Sequence, residues 1–286
     1  MGWNPFKSYS SLFGGGGTKS AIINHLGTAQ KIPVVYGDDE VDAIWLGFRQ
    51  VNDDEFGGLA TFCYASIEEI EYITINGKNF LPGEGEAYSD NSRDLGVSYE
   101  IQKNGEGHND NYGRFMESRS QYPRPADLGT DNPLFFRGLV GIFFQFDIDK
   151  GFITGIPTVS IKIKGKNHVF DPRIETDPNT ASTSYPYYPW AGITTTACTN
   201  PALIYADYLT NTWYGKGLSW DRIDIEALKA AADVCDTPVQ DGDGNIIPLM
   251  GFNGRLDTDE KIDKNLELIA LHMRAHSPYH NNQFSL

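Results

Sequence analysis

From Gln30 onward the apolar positions fall first into short runs and alternations, and only later into helical stripes. KIPVVYG, ending at Gly37, and VDAIWLGF, beginning at Val41, are runs of strand length. The acidic triplet Asp38, Asp39, Glu40 between them reads as a solvated turn tip. After a polar break over Asn52 to Gly58, LATFCYASIEEIEYITINGKNF reads as a strand, a short connection and a second strand that runs into Asn76-Gly77. Asn-Gly after an alternating run predicts a tight hairpin, because both turn residues tolerate positive φ.

LFFRGLVGIFFQFDI is rich in aromatic and β-branched residues and is interrupted by Gly138 and Gly141, which suits a buried strand better than a helix. In TVSIKIKGKNHVFDP, Val159, Ile161 and Ile163 alternate with Ser160, Lys162 and Lys164. That pattern predicts a strand with one face packed and the other turned to water or a partner. Residues 82–132 are rich in Gly, Asn, Asp and Ser, with one alternating run at Val97, Tyr99 and Ile101. A structureless loop of that length does not suit a compact domain, so an inserted excursion is expected there.

The period changes after the proline-, serine- and aromatic-rich passage that ends near Cys198. Asn200 is placed as an N-cap with Pro201 at the first helical position, and Ala202, Tyr205, Ala206 and Leu209 share a face, with Gly215 as the stop. A second helix is expected from Asp224, with Ile225, Leu228, Ala231, Ala232 and Cys235 on its apolar side. DGDGNIIPLMGFNGRL supplies a turn and a strand pair. Asp257 and Glu260 resemble a capping box for a third helix whose stripe is Ile262, Leu266, Ile269 and Met273, and QFSL begins to alternate again.

These patterns predict an α+β, β-rich chain. Residues 1–27 form a Gly- and Ser-rich arm, 28–175 a β-rich domain with its excursion at about 82–132, 176–198 a linker, and 199–286 an α+β domain with three helices. A hydrophobic content of 40% with 21% charged residues places the chain among globular proteins. Its 23 basic and 38 acidic residues give a formal charge of −15, which argues against a surface built to hold nucleic-acid phosphates. Cys63, Cys198 and Cys235, odd in number and widely spaced, read as reduced thiols rather than a disulfide framework or zinc site. The first residues lack the basic start and apolar run of a signal peptide, and no segment has the length of a membrane span.

Several patterns touch on chemistry and none completes a motif. Gly14 to Gly17 followed by Thr18, Lys19 and Ser20 echoes a phosphate loop, but no strand precedes it. Asp241, Asp243 and Asn245 match the start of a calcium loop, yet Ile246 stands where glycine is required and a hairpin tip explains them. His272, His276 and His280 are spaced by four, but Pro278 breaks the helix that would align them. The adjacent acids Glu68 and Glu69, or Asp147 and Asp149, have the residue types of a glycosidase pair without a spacing that identifies one. No hydrolase elbow or dinucleotide fingerprint occurs. The expectation is therefore a non-enzyme with no catalytic, cofactor-binding or metal-binding residues.

Several blocks in order resemble one family: IPVVYG at 32–37, FCYASIEEIEYITINGK at 62–78, GFITGIPTVSIKIKGKNHVFDPR at 151–173, TNPALIYADYLTNTWYGKGL at 199–218, then IDIEALKAAADVCD and FNGRLDTDEKIDKNLELIALHMRA. Together they are similar to the central hub, or tail-tip, family of long-tailed bacteriophages (lambda-type tip attachment protein J-like). The chain departs from it in carrying Asp38, Asp39 and Glu40 where relatives often have basic residues after the early Tyr-Gly. It also stops where many relatives continue, which fits a short hub.

The resemblance implies hub-type β-barrel or sheet domains with a helix-containing C-terminal domain. It implies a structural protein of the virion tail tip, assembled in the host cytoplasm as a homotrimer that caps or extends the tail tube. Implied partners are the distal tail protein, the tape-measure protein and tail-fibre or receptor-binding proteins, with the genome passing through without specific binding. The alternative is a receptor- or carbohydrate-binding tip module, motivated by Tyr185, Tyr187, Tyr188 and Trp190.

Overall fold

A computed structural model describes residues 31–50, 54–64, 66–82, 95–102, 138–174 and 196–285. The expected arm, most of the excursion and most of the linker lie outside these residues. The fold is α+β and β-rich: the described residues contain fourteen strands and three α-helices. The strands up to the first helix are β1 (Val34–Tyr36), β2 (Asp38–Asp42), β3 (Ile44–Gln50), β4 (Glu55–Tyr64), β5 (Ile67–Ile75), β6 (Lys78–Phe80), β7 (Val97–Gln102), β8 (Leu139–Asp147) and β9 (Val159–Lys166).

Two open four-stranded sheets, ordered β2-β9-β5-β6 and β3-β4-β8-β7, share one core; among the described residues neither closes into a barrel. Every pairing within them is antiparallel. Ile70, Ile73 and Ile161 from one sheet and Phe62, Ile142 and Phe144 from the other are buried in that core. Ile70 and Ile73 are an odd number of residues apart, so a regular strand would turn them to opposite faces. An irregularity between Ile70 and Tyr72 resets the phase and lets both pack inward.

Three details of the strand region differ from the sequence pattern. Asp38, Asp39 and Glu40 are not a turn tip but the first half of β2, paired with Lys164, Ile163 and Lys162 of β9. Gly37 alone makes the turn, at φ +59°. VDAIWLGF is two strands rather than one, since the chain leaves the first sheet at Ala43 and enters the second at Ile44. The polar break is also shorter than expected: β4 begins at Glu55 and carries Gly57 and Gly58 within its ladder to β8. The Asn76-Gly77 turn closes β5 on β6 as expected, with φ of +48° and +81°.

The second core is centred on helix α1 (Pro201–Thr210), flanked by α2 (Ile225–Cys235) and α3 (Ile262–Met273). Asn200 caps α1, its Oδ1 accepting from the Ala202 and Leu203 amides, and its Nδ2 donates to the Ala232 carbonyl of α2. The expected apolar stripe understates α1, because all ten of its residues are buried. It ends at Asn211 rather than at Gly215. Gly215 instead lies so close to the Tyr208 carbonyl that a Cβ would sit 2.0 Å from its oxygen.

In α2 the buried residues are Leu228, Ala232 and Cys235, and Asp224 caps the helix through the Ala227 amide. The capping box proposed for α3 does not form. The cap position is Lys261, with no side-chain bond, and Asp257 serves the turn before it by accepting from the Asp259 amide. Ile262, expected in the buried stripe, is exposed in the first turn. Asn265 is buried in the stripe with Leu266, Ile269 and Met273, donating to the Tyr208 hydroxyl and the Asp257 carbonyl.

Two hairpins complete this part: β10 (Pro238–Gln240) with β11 (Ile246–Pro248), and β13 (Tyr279–His280) with β14 (Gln283–Phe284). β12 (Gly254–Leu256) pairs with β1. β1 serves both cores, because Val34 and Tyr36 face the helices while Val35 faces the sheets.

Candidate functional site

The most concentrated polar chemistry in the described residues lies where β9 ends against α1. Lys166 Nζ is 2.6 Å from Asp207 Oδ1 and 2.6 Å from the Tyr214 hydroxyl. Tyr214 and Tyr36 both donate to Asp207 Oδ2, at 2.8 and 2.5 Å. The side chains of Lys166 and Asp207 are 11% and 1% exposed. Four elements meet here: β1 contributes Tyr36, β9 Lys166, α1 Asp207, and the turn after α1 Tyr214.

Removing a lysine and an aspartate from water costs several kcal/mol per ion, on the order of what their attraction returns, so such a pair persists only with its remaining hydrogen bonds satisfied. Two tyrosine hydroxyls on one carboxylate oxygen provide that satisfaction. Burial raises the phenol pKa of Tyr36 and of Tyr214 well above the ordinary value, and the Asp207 charge raises both further, so both stay protonated as donors. His168, two residues beyond Lys166, is pushed the other way, first by burial and then by the Lys166 charge.

The joint is closed to solvent, and each of its groups is spent on another. It holds the helical core to the sheet edge in one register. The backbone reinforces it: the Cys198 amide donates to the Lys166 carbonyl, and the Gly165 amide to the Gly37 carbonyl at 2.6 Å. A Cβ on Gly165 would lie 2.4 Å from the Val35 carbonyl oxygen, so glycine is what allows β9 and β1 to cross.

A second tie lies on the far side of α2. Arg173 binds both oxygens of Asp171 and reaches Asp233 and Asp236 at 3.1 and 2.8 Å. Asp233 and Asp236 lie at the C-terminal end of α2, where the helix dipole disfavours negative charge and the guanidinium offsets it.

The outer face of the β2-β9-β5 sheet carries ladders of opposite charge. Lys164 stands opposite Asp38 on one side and Glu69 on the other, with Nζ 2.9 Å from Glu69. Hydrogen bonding to Glu69 raises the Lys164 pKa. Ser160 donates to Glu40 at 2.6 Å. On the opposite face Asp39, level with the buried Ile163, pairs with Arg255 of β12 at 3.1 Å.

The residues singled out from sequence separate cleanly in space. Glu68 accepts from the Ala197 amide while Glu69 binds Lys164, so these adjacent acids hold different partners. Asp147 accepts from the Asp149 amide as the cap of a short 3-10 turn. Asp241 accepts from Asp243 and Asn245 at the β10–β11 hairpin tip, and those bonds, led by the Asn245 side chain, lower its pKa.

α3 ends at Met273 with Arg274 in the left-handed region, so His276 and His280 leave the helix that would have aligned them with His272. Among the described residues no three His, Cys, Asp or Glu side chains gather as a metal site. Cys63, Cys198 and Cys235 are unbridged, and burial pushes the Cys198 thiol up to about 12. The Gly14 to Ser20 stretch and the Tyr185 to Trp190 aromatics lie outside the described residues. Among the described residues, no helix is long and apolar enough to cross a membrane.

Asp207, Lys166, Tyr36 and Tyr214 carried no recognised signal in the sequence. One was present: Asp207 is the only charged residue in PALIYADYLT, and an ion within an otherwise apolar helix has to find a buried partner.

No protein-family model matches the chain. No curated protein matches it either. Among solved structures, a chain from "Virion of native gene transfer agent (GTA) particle" aligns with a TM-score of 0.42 and 10% identity, over 87% of this chain and 61% of that one. This chain thus spans about three fifths of the length of that chain.

Proposed function

We propose that this protein is a structural subunit of a bacteriophage tail tip, a hub that caps or extends the tail tube and anchors tip or fibre proteins. The supporting observation is where the resembling sequence blocks meet. Lys166 belongs to the 151–173 block, Asp207 and Tyr214 to the 199–218 block and Tyr36 to the 32–37 block, and the three blocks converge on the buried joint. The invested chemistry holds a sheet region rigidly to a helical one, as a component under mechanical load in an assembly requires. In this reading the chain works as a homotrimer in the virion, with the distal tail, tape-measure and fibre proteins as neighbours, and performs no catalysis. A net charge of −15 suits a wall past which DNA slides without adhering.

The test is to incubate tagged protein with tail tubes lacking their tip and locate it by electron microscopy. Density at one end of the tube supports the hub reading; absence of the protein from tails, with binding to host glycans instead, replaces it with the receptor-binding alternative.

A further inference from the structure

The joint between β9 and α1 places an amine and a carboxyl group as reactants as well as an ion pair. Lys166 Nζ lies 2.6 Å from Asp207 Oδ1, one group fixed on a strand and the other on a helix. The other carboxylate oxygen, Oδ2, accepts from the Tyr36 and Tyr214 hydroxyls at 2.5 and 2.8 Å. Negative charge collects on such an oxygen when a nucleophile adds to the carboxyl carbon, and two fixed O–H donors stabilise it there. Tyr214 also accepts from Lys166 at 2.6 Å, which holds the nitrogen beside the carboxyl group. The site is dry, because Tyr36, Tyr214, Lys166 and Asp207 are all buried between the two cores.

We propose that Lys166 and Asp207 condense to an isopeptide bond that joins β9 covalently to α1. The Lys166 ammonium passes one proton to Asp207 Oδ1, and the neutral amine nitrogen adds to Cγ. The oxyanion forms on Oδ2, between the two phenol hydroxyls. A second proton of the nitrogen then goes to Oδ1, the Cγ–Oδ1 bond breaks and one water leaves. The third proton stays on the amide nitrogen, so no oxidant, reductant or cofactor is needed.

The product keeps the hydrogen bonds already present. Oδ2 becomes the amide carbonyl oxygen and retains both hydroxyl donors, while the new N–H retains Tyr214 as acceptor. Burial supplies the drive, since bulk water favours the separate ions over the amide and the joint withholds that water from both charges. Lys164 and Glu69, 2.9 Å apart but 35% and 52% exposed, lack this condition and stay an ion pair. The Lys166–Asp207 ion pair is the state before reaction, and the bond ties the two cores across 41 residues of sequence whatever the chain assembles with.

The experiment is intact-mass spectrometry of the denatured full chain, taken fresh and after a week folded at neutral pH and physiological temperature, followed by peptide mapping. The expected mass is one water below that of the sequence. The map should contain a branched peptide joining Lys166 to Asp207, with trypsin no longer cutting after Lys166. Lys166→Arg keeps the positive charge without a nucleophilic amine, and it should keep its full sequence mass, as should Asp207→Ala. Tyr36→Phe should slow bond formation by about 100-fold, as loss of one oxyanion donor does. A folded wild-type chain that still has its full sequence mass overturns the proposal, and that reading needs no variant to fold. So does a lost water that maps to a succinimide at Asp241-Gly242 or Asp243-Gly244, or one that persists in Lys166→Arg.

Discussion

Lys164 and Lys166 sit two residues apart on the same face of the same strand, and their fates differ. Lys164 lies over the outer face of its sheet, 35% exposed, and pairs with Glu69, which is 52% exposed. Lys166 is covered by the helical core and locked to Asp207 and Tyr214. One lysine decorates and the other holds two cores together. Water makes the difference: an exposed ion pair exchanges readily with solvent and contributes little, whereas a buried one is strongly destabilising to break because it leaves an uncompensated charge.

The largest expected effect tests that contrast directly. Asp207→Ala should destabilise the fold by about 3–5 kcal/mol in urea unfolding, since Lys166 would remain buried without its counter-ion. Replacing the whole network with apolar residues, Lys166→Met and Asp207→Leu together with Tyr36→Phe and Tyr214→Phe, should cost much less, because no buried charge or hydroxyl is then left unpaired. Equal losses for the single and combined variants would mean that packing rather than charge holds the joint.

Next comes the crossing beside it. Gly165→Ala should cost about 1–3 kcal/mol by forcing β9 away from the Val35 carbonyl, and the loss should appear as a lower urea midpoint. Asn200→Ala follows at about 1 kcal/mol, from the lost α1 cap and the lost bond to α2.

The smallest effect is in pH. Burial and the Lys166 charge lower the His168 pKa in the folded chain, so the unfolded chain takes up the proton first as pH falls. The stability contributed by neutral His168 is present above about pH 6.5 and lost on acidification below it. Thermal melts between pH 7.5 and 5 should show this loss, and His168→Gln should flatten the slope. At the other end of the comparison, Glu69→Gln should leave the neutral-pH melt where it is.

Much of the architecture was legible because it is local. Alternation in TVSIKIK placed β9 and its inward residues, Asn-Gly placed a hairpin turn, and Asn200-Pro201 placed the start of α1 within a residue. The errors arose where local rules compete with neighbours. Asp38 to Glu40 look like a solvated tip, but backbone pairing with β9 makes them the start of a strand. Asp257 and Glu260 have capping-box spacing, but the chain uses them in the preceding turn.

The alternation of β9 determined by itself that Lys162, Lys164 and Lys166 share one face, because the pleat repeats every two residues whatever surrounds it. It could not say which of them would lose contact with water. Only the tertiary structure decided that, by laying α1 over one end of the strand and bringing Asp207, far away in sequence, within hydrogen-bonding distance of Lys166. Burial is a property of what packs on a face, and no residue carries that information in its own identity.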